Sequence, residues 1–178
     1  MEFIFEKAIP EDTEHLASLV KEVWKTITHK EWFALYPQET RHYINDLFHT
    51  QKGCIWKALD NSSGQIAGMF IATYPGIASD NLGYDIEFPE FRLFQVAHMD
   101  TVIVRPHYRG YGLQQRLTLL AEQELQSEGF RYFMCTIHPD NIFSINNMRK
   151  CGYKIVKKVS KYGGLPRFIL LKTISCQK

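Results

Sequence analysis

Asp100-Thr101-Val102-Ile103-Val104-Arg105-Pro106-His107-Tyr108-Arg109-Gly110-Tyr111-Gly112-Leu113-Gln114-Gln115-Arg116-Leu117 is the stretch whose reading decides the fold. A β-rich run meets a proline, passes through a short turn holding two glycines, and gives way at once to apolar residues at helical spacing. Leu113, Leu117, Leu120, Ala121 and Leu125 form one stripe, and Gly129 closes a helix expected over Leu113 to Glu128. A helix start carries outward N–H groups and a positive partial charge, so a strand–turn–helix junction of this kind suits a phosphate or pyrophosphate. Glycine lets the backbone approach the anion closely, and Arg109 can add a charged fork. The alternative is a glycine turn that only caps a core helix. A P-loop is excluded because no Gly-Lys-Ser/Thr follows. A dinucleotide fingerprint is excluded because Gly110-x-Gly112 is followed by Leu113-Gln114-Gln115.

Working outward, Gln95 to Val104 reads as the strand that feeds the turn, and Arg131 to Ile137 as the next strand. Upstream, a strand over Phe3 to Ala8 is stopped by Pro10, and the acids from Glu11 to Glu14 start a helix carrying Leu16, Leu19, Val20, Val23, Trp24 and Ile27. The aromatic stretch Trp32 to Pro37 is core or a pocket wall. A second helix is expected from about Gln38 to Phe48. Gly53 to Leu59 and Gln65 to Tyr74 form a hairpin around Asp60-Asn61-Ser62-Ser63-Gly64. Pro75 to Phe94 is read as irregular. Downstream lie a helix over Asn141 to Cys151 and closing strands over Tyr153 to Val159 and Arg167 to Thr173. The element order predicts a mixed α/β (α+β) domain spanning 1–178: a twisted sheet of six to seven strands with helices on both faces.

Composition narrows the partners. The chain has 178 residues and a net charge of +2, with its basic residues scattered, so nothing points to nucleic acid. No run reaches the roughly 18 apolar residues of a membrane span, and the first residues lack the basic start of a secretion signal. Four cysteines, Cys54, Cys135, Cys151 and Cys176, form no C-x-x-C pair and no zinc-like cluster. A cytoplasmic chain with reduced thiols and no metal is expected, with Cys54 and Cys135 buried.

Two blocks carry a family resemblance. Val104-x-Pro106-x-Tyr108-Arg109-Gly110-Tyr111-Gly112-Leu113 resembles the acetyl-CoA signature of the GNAT superfamily of N-acetyltransferases. Asn141-x-x-Ser144-x-x-x-Met148-x-Lys150-x-Gly152-Tyr153 resembles that family's later helix. One helix and one strand fill the gap between the blocks, as the family requires. Two positions depart from its pattern: Gln114 stands where Gly or Ala is usual, and Met148 stands where many members carry a tyrosine that protonates the leaving thiolate.

The resemblance implies an acetyltransferase that moves an acetyl group from acetyl-CoA to a primary amine of a small molecule or peptide by direct transfer in a ternary complex. It implies a pantetheine arm held by the backbone of Val102, Ile103 and Val104, and a pyrophosphate at Arg109, Gly110, Tyr111, Gly112, Leu113 and Gln114. Asn141 and Ser144 would lie beside the pantetheine, although Asn141 after Pro139-Asp140 reads equally as a helix cap. A non-catalytic acyl-CoA-binding module is the alternative, and a homodimer is compatible with the sequence.

An alkylammonium of pKa ~10.4 is neutral about once in a thousand molecules near pH 7.4, a deficit of roughly 4 kcal/mol that a general base relieves. His98 is the candidate base, the alternative being an ordinary strand residue. Asp100 would orient it or act through water, and Ser144 is a further catalytic candidate. Between the third and fourth strands, Asp80, Asp85, Glu87 and Glu90 with Tyr84, Phe88, Phe91 and Phe94 suit a cationic acceptor. The alternative there is a solvated loop pinned by its aromatics.

Overall fold

The computed structural model describes residues 1–33 and 35–174. Among the described residues, seven strands form one mixed sheet in the order β1-β2-β3-β4-β5-β7-β6. They are β1 (Phe3–Lys7), β2 (Gly53–Asp60), β3 (Ile66–Thr73), β4 (Val96–Val104), β5 (Tyr132–Ile137), β6 (Lys154–Lys161) and β7 (Leu165–Thr173). The helices are α1 (Thr13–Thr26), α2 (Pro37–Thr50), α3 (Glu90–Leu93), α4 (Leu113–Ser127) and α5 (Ile142–Lys150). The sheet is mixed because β4 and β5 run parallel whereas β1–β2, β5–β7 and β6–β7 are antiparallel.

The chain contains two compact units. The first comprises Met1–Ala72 and Thr101–Thr118. Leu16, Leu19, Val20 and Val23 of α1 recur on one helical face and are buried together with Ile44 and Leu47 of α2, Ile55 of β2, Met69 and Ile71 of β3, and Ile103 of β4. At the start of α1, the Asp12 carboxylate accepts the Ile9 N–H at 2.9 Å, which fixes the chain as it leaves β1. Within the aromatic stretch Leu35 is buried and Tyr36 exposed, and Trp24 of α1 packs edge-on against Phe33 and tilted against Tyr36. Gly68 of β3 is required by close backbone approach, since a Cβ there would lie 2.8 Å from the Ile103 carbonyl oxygen of β4.

The second unit comprises Thr73–Asp100 and the chain from Leu119 onward. Leu82, Val96, Met134 and Ile169 form a buried cluster with Ile86, Phe88, Tyr132, Val159 and Leu171 packed against it. Leu82, Ile86 and Phe88 belong to the stretch read as irregular. That stretch holds a 3₁₀ turn at Tyr84–Ile86 and the short helix α3, organised by one buried side chain with no periodic signature. Asn81 donates from Nδ2 to the carbonyls of Gly76 (2.6 Å) and Leu93 (3.2 Å) and accepts the Gly83 N–H at Oδ1 (2.8 Å).

The closing hairpin is also longer than expected, with β6 reaching Lys161 and β7 starting at Leu165. Gly163 and Gly164 take left-handed φ values of 78° and 102° and reverse the chain in a tight turn. Cys54 is only half-buried, contrary to expectation, whereas Cys135 is buried. Ala34 and Cys176 lie outside the described residues.

Candidate acetyl-transfer site

Each unit holds its own share of the expected site residues. In the first unit, β4 ends in a 3₁₀ turn, Pro106–Tyr108, and α4 opens at Leu113. Arg109, Gly110, Tyr111 and Gly112 are exposed between buried Tyr108 and buried Leu113, so the turn is anchored at both ends and open in the middle. Gly110 and Gly112 have φ of 88° and 71°, the left-handed region in which a β-carbon is strained. A Cβ at either glycine would meet nothing within 4 Å. Space is therefore open around the Cα of both glycines. The Arg116 N–H closes the first helical bond onto the Gly112 carbonyl at 3.1 Å. The N–H groups of a helix's opening turn precede that bond and point out of the helix.

The sequence reading missed what stands behind this turn. Phe3 of β1 lies edge-on to Tyr111 and Tyr108, with ring centroids 5.6 and 5.8 Å apart, and the Arg116 guanidinium sits 4.2 Å from the Phe5 ring centroid. The first strand thus braces the turn. Arg105 is buried, donates from Nε to the Ile66 carbonyl at 2.7 Å, and pairs with Glu22 of α1. The Tyr108 hydroxyl donates to Asp60 Oδ2 at 2.9 Å. The signal available in the sequence was Asp60 ahead of Ser62 and Ser63, a pattern that folds a carboxylate back onto its own turn. The Ser62 N–H and the Ser62 and Ser63 hydroxyls all donate to that carboxylate.

In the second unit, the ladder between β4 and β5 pairs Val96 with Tyr132, Ala97 with Phe133 and His98 with Met134. β5 runs on to Ile137 beyond those pairs. His98 stands at the last pair, and its Nε2 accepts the Leu82 N–H at 3.0 Å. A neutral imidazole has one acceptor nitrogen, so Nδ1 carries the proton and the lone pair is already committed. Burial pushes the His98 pKa down to about 4; Lys161 acts in the same direction, while Asp80 and Asp85 oppose it. The general-base role expected of His98 would draw on the lone pair that the Leu82 N–H occupies here.

Asp100, two residues further along β4, is exposed. The Tyr162 hydroxyl lies 3.0 Å from Thr136 Oγ1 of β5. Tyr162 has a left-handed φ of 53°, uncommon for an aromatic residue. Burial, and after it the charge of Asp100, hold the Tyr162 phenol above its ordinary pKa.

Asn141 is the N-cap of α5, its Oδ1 accepting the Ser144 N–H at 3.1 Å. Ser144 is half-buried and Met148 is buried in the core. The expected acidic attraction by the 79–94 segment is weakened at Asp85, whose carboxylate pairs with Lys161 at 2.6 Å. Among the described residues, no group of His, Cys, Asp or Glu is arranged to hold a metal ion, and no helix is long and apolar enough to cross a membrane.

A model of the acetyltransferase (GNAT) family matches residues 21–153. Solved structures share the fold over nearly the whole chain. An acetyltransferase of the GNAT family from Streptococcus pneumoniae is 17% identical with a TM-score of 0.70, covering 97% of this chain and 100% of that one. The NatC complex bound to Gag peptide and CoA gives 17% identity and a TM-score of 0.71, covering 98% and 100%. Arabidopsis thaliana NAA60 in complex with acetyl-CoA gives 14% identity and a TM-score of 0.73, covering 97% and 99%. No curated protein matches the chain in sequence.

Proposed function

The chain belongs to the acetyltransferase (GNAT) family, and from that premise we propose that it transfers an acetyl group from acetyl-CoA to a primary amine of a small molecule or peptide, directly and within a ternary complex. The observation that carries this reading is the exposed Arg109–Gly112 turn, with two left-handed glycines and open space above both at the start of α4. Backbone N–H groups and Arg109 there meet the pyrophosphate as oriented dipoles and a charged fork. The structural relatives that hold CoA or acetyl-CoA support the choice of co-substrate, and the relative that holds a peptide supports an amine acceptor. The family match runs through both units, which supports one N-acetyltransferase domain. Cys54, Cys135 and Cys151 form no disulfide, which suits a cytoplasmic protein.

In this reading the backbone of Val102, Ile103 and Val104 holds the pantetheine arm, and Leu113 and Gln114 complete the phosphate cradle. Asn141 caps α5 through Oδ1, which leaves Nδ2 as its donor to a pantetheine carbonyl, and Ser144 lies beside it. Asp100, exposed and on the strand that leads to the cradle, takes the ammonium proton through water. The neutral amine then attacks the thioester carbonyl: the N–C bond forms, the C–S bond breaks, CoA leaves as a thiolate, and the second proton shed by the nitrogen passes to water or to that thiolate. A thiol of pKa ~8.5 tolerates departure near neutral pH without a strong acid, in keeping with apolar Met148.

The test is incubation with acetyl-CoA and a panel of amines, read by mass spectrometry. Acetylated amine and free CoA should appear in equal amounts. Tight CoA binding with no acetylated amine from any member of the panel would leave a binding module in place of an enzyme.

A further inference from the structure

The two glycines that shape the Arg109–Gly112 turn also make it costly to order. Fixing a single residue's backbone is worth roughly a 5- to 30-fold change in a binding constant, and a ligand bears that cost unless the protein has already met it. The residue immediately before the turn is the place to meet it. Tyr108 is 3% exposed, and its single hydroxyl proton has two oxygens in reach, Asp60 Oδ2 at 2.9 Å and Gln65 Oε1 at 3.3 Å. The carboxylate is the shorter and charged acceptor.

Asp60 cannot swing to follow a moving tyrosine. It is 5% exposed and also accepts the Ser62 N–H at 3.0 Å, the Ser62 hydroxyl at 2.8 Å and the Ser63 hydroxyl at 3.0 Å. The β2–β3 hairpin is closed beneath it by the Asp60 N–H donating to the Gln65 carbonyl at 2.9 Å. The hairpin turn is therefore a rigid mount for the phenol, with Phe3 against the ring.

We propose that Tyr108 is a positioning residue for acetyl-CoA: through Asp60 it fixes the entry of the Arg109–Gly112 turn against the β2–β3 hairpin, so that the pair sets affinity for the pyrophosphate portion of the co-substrate. This rests on the acetyl-CoA reading above. Tyr108 touches no reacting atom, so its loss raises KM for acetyl-CoA and leaves kcat at saturation within about two-fold.

The experiment measures dissociation constants for CoA and for pantetheine, which lacks the pyrophosphate, in wild type, Tyr108→Phe, Asp60→Asn and the double variant. Each single variant should weaken CoA by about 5- to 20-fold and pantetheine by less than two-fold. The double variant should be no more than about two-fold weaker than the worse single, because both changes break one bond. Asp60→Asn keeps the side-chain volume and answers the question if Tyr108→Phe fails to fold. Unchanged CoA affinity in a folded single variant, equal weakening of CoA and pantetheine, or full additivity in the double variant would overturn the proposal. If wild-type protein binds pantetheine and CoA equally or neither at all, the acetyl-CoA reading falls first and this inference with it.

Discussion

His98→Gln is the substitution whose consequence can be worked most directly from the structure. The imidazole is neutral in the folded protein, with its pKa held at about 4 mainly by burial, whereas in the unfolded chain it titrates near 6.5. A depressed histidine favours the fold fully above the unfolded value. That contribution is lost as pH falls from about 6.5 toward about 4, because the unfolded chain takes up a proton that the folded chain refuses. At pH 5 the unfolded chain gains about a 30-fold advantage from this single site, or roughly 2 kcal/mol at 1.36 kcal/mol per pKa unit. At pH 7 the unfolded chain has almost none of that advantage. Asp80, Asp85 and Lys161, the charged groups acting on the ring, remain in the variant.

Glutamine offers an amide oxygen to the Leu82 N–H and does not titrate. Urea unfolding at pH 7 and pH 5 should show the wild type losing about 2 kcal/mol more between the two than His98→Gln loses. The comparison of slopes cancels any constant packing cost of the substitution. Equal losses in the two proteins would mean that His98 is solvated or charged in the fold, and the argument that its lone pair is committed to Leu82 would fail.

Three other outcomes follow from the site. Gly112→Val puts a β-branched side chain at φ 71° and into the open space above the turn; titration calorimetry should show CoA affinity lost in the folded variant, by 100-fold or more on the order expected when a steric block adds to backbone strain of about 1–3 kcal/mol. Asp100→Asn should lower kcat by about 10²–10⁴-fold at neutral pH if this carboxylate takes the ammonium proton, with CoA affinity unchanged; a fully active variant would assign that step to bulk water. Met148→Tyr inserts a hydroxyl and extra volume at a position only 4% exposed, so thermal unfolding should show a loss of about 1–3 kcal/mol from overpacking, and a stability unchanged from wild type would mean that the position opens onto a cavity.

Much of the fold was legible because its signals are local. The stripe from Leu113 to Leu125 and the glycines around it place α4 and the turn before it, since a helix face repeats every three to four residues and a left-handed turn all but demands glycine. The Asp60–Gly64 turn and the strand that ends at Pro106 are written in adjacent residues in the same way. What stands behind the turn was not legible, because it depends on partners far apart in the chain. Tyr108 reaches Asp60 across 48 positions and Arg105 reaches Glu22 across 83, and neither pairing leaves a periodic trace.

The same limit explains His98. Its residue type and its place on β4 suggest a base, but the protonation state is set by burial and by the Leu82 N–H that a loop of no regular pattern brings to Nε2. Asp85 reads as a free anion until Lys161 of β6 is found beside it. The sequence by itself determined most of the elements, the glycine turn before α4 and the family pattern, all properties of neighbouring residues. Only the tertiary structure decided which side chains are charged, which lone pairs are occupied and what holds the turn in place, because those depend on groups that meet through packing across long stretches of chain.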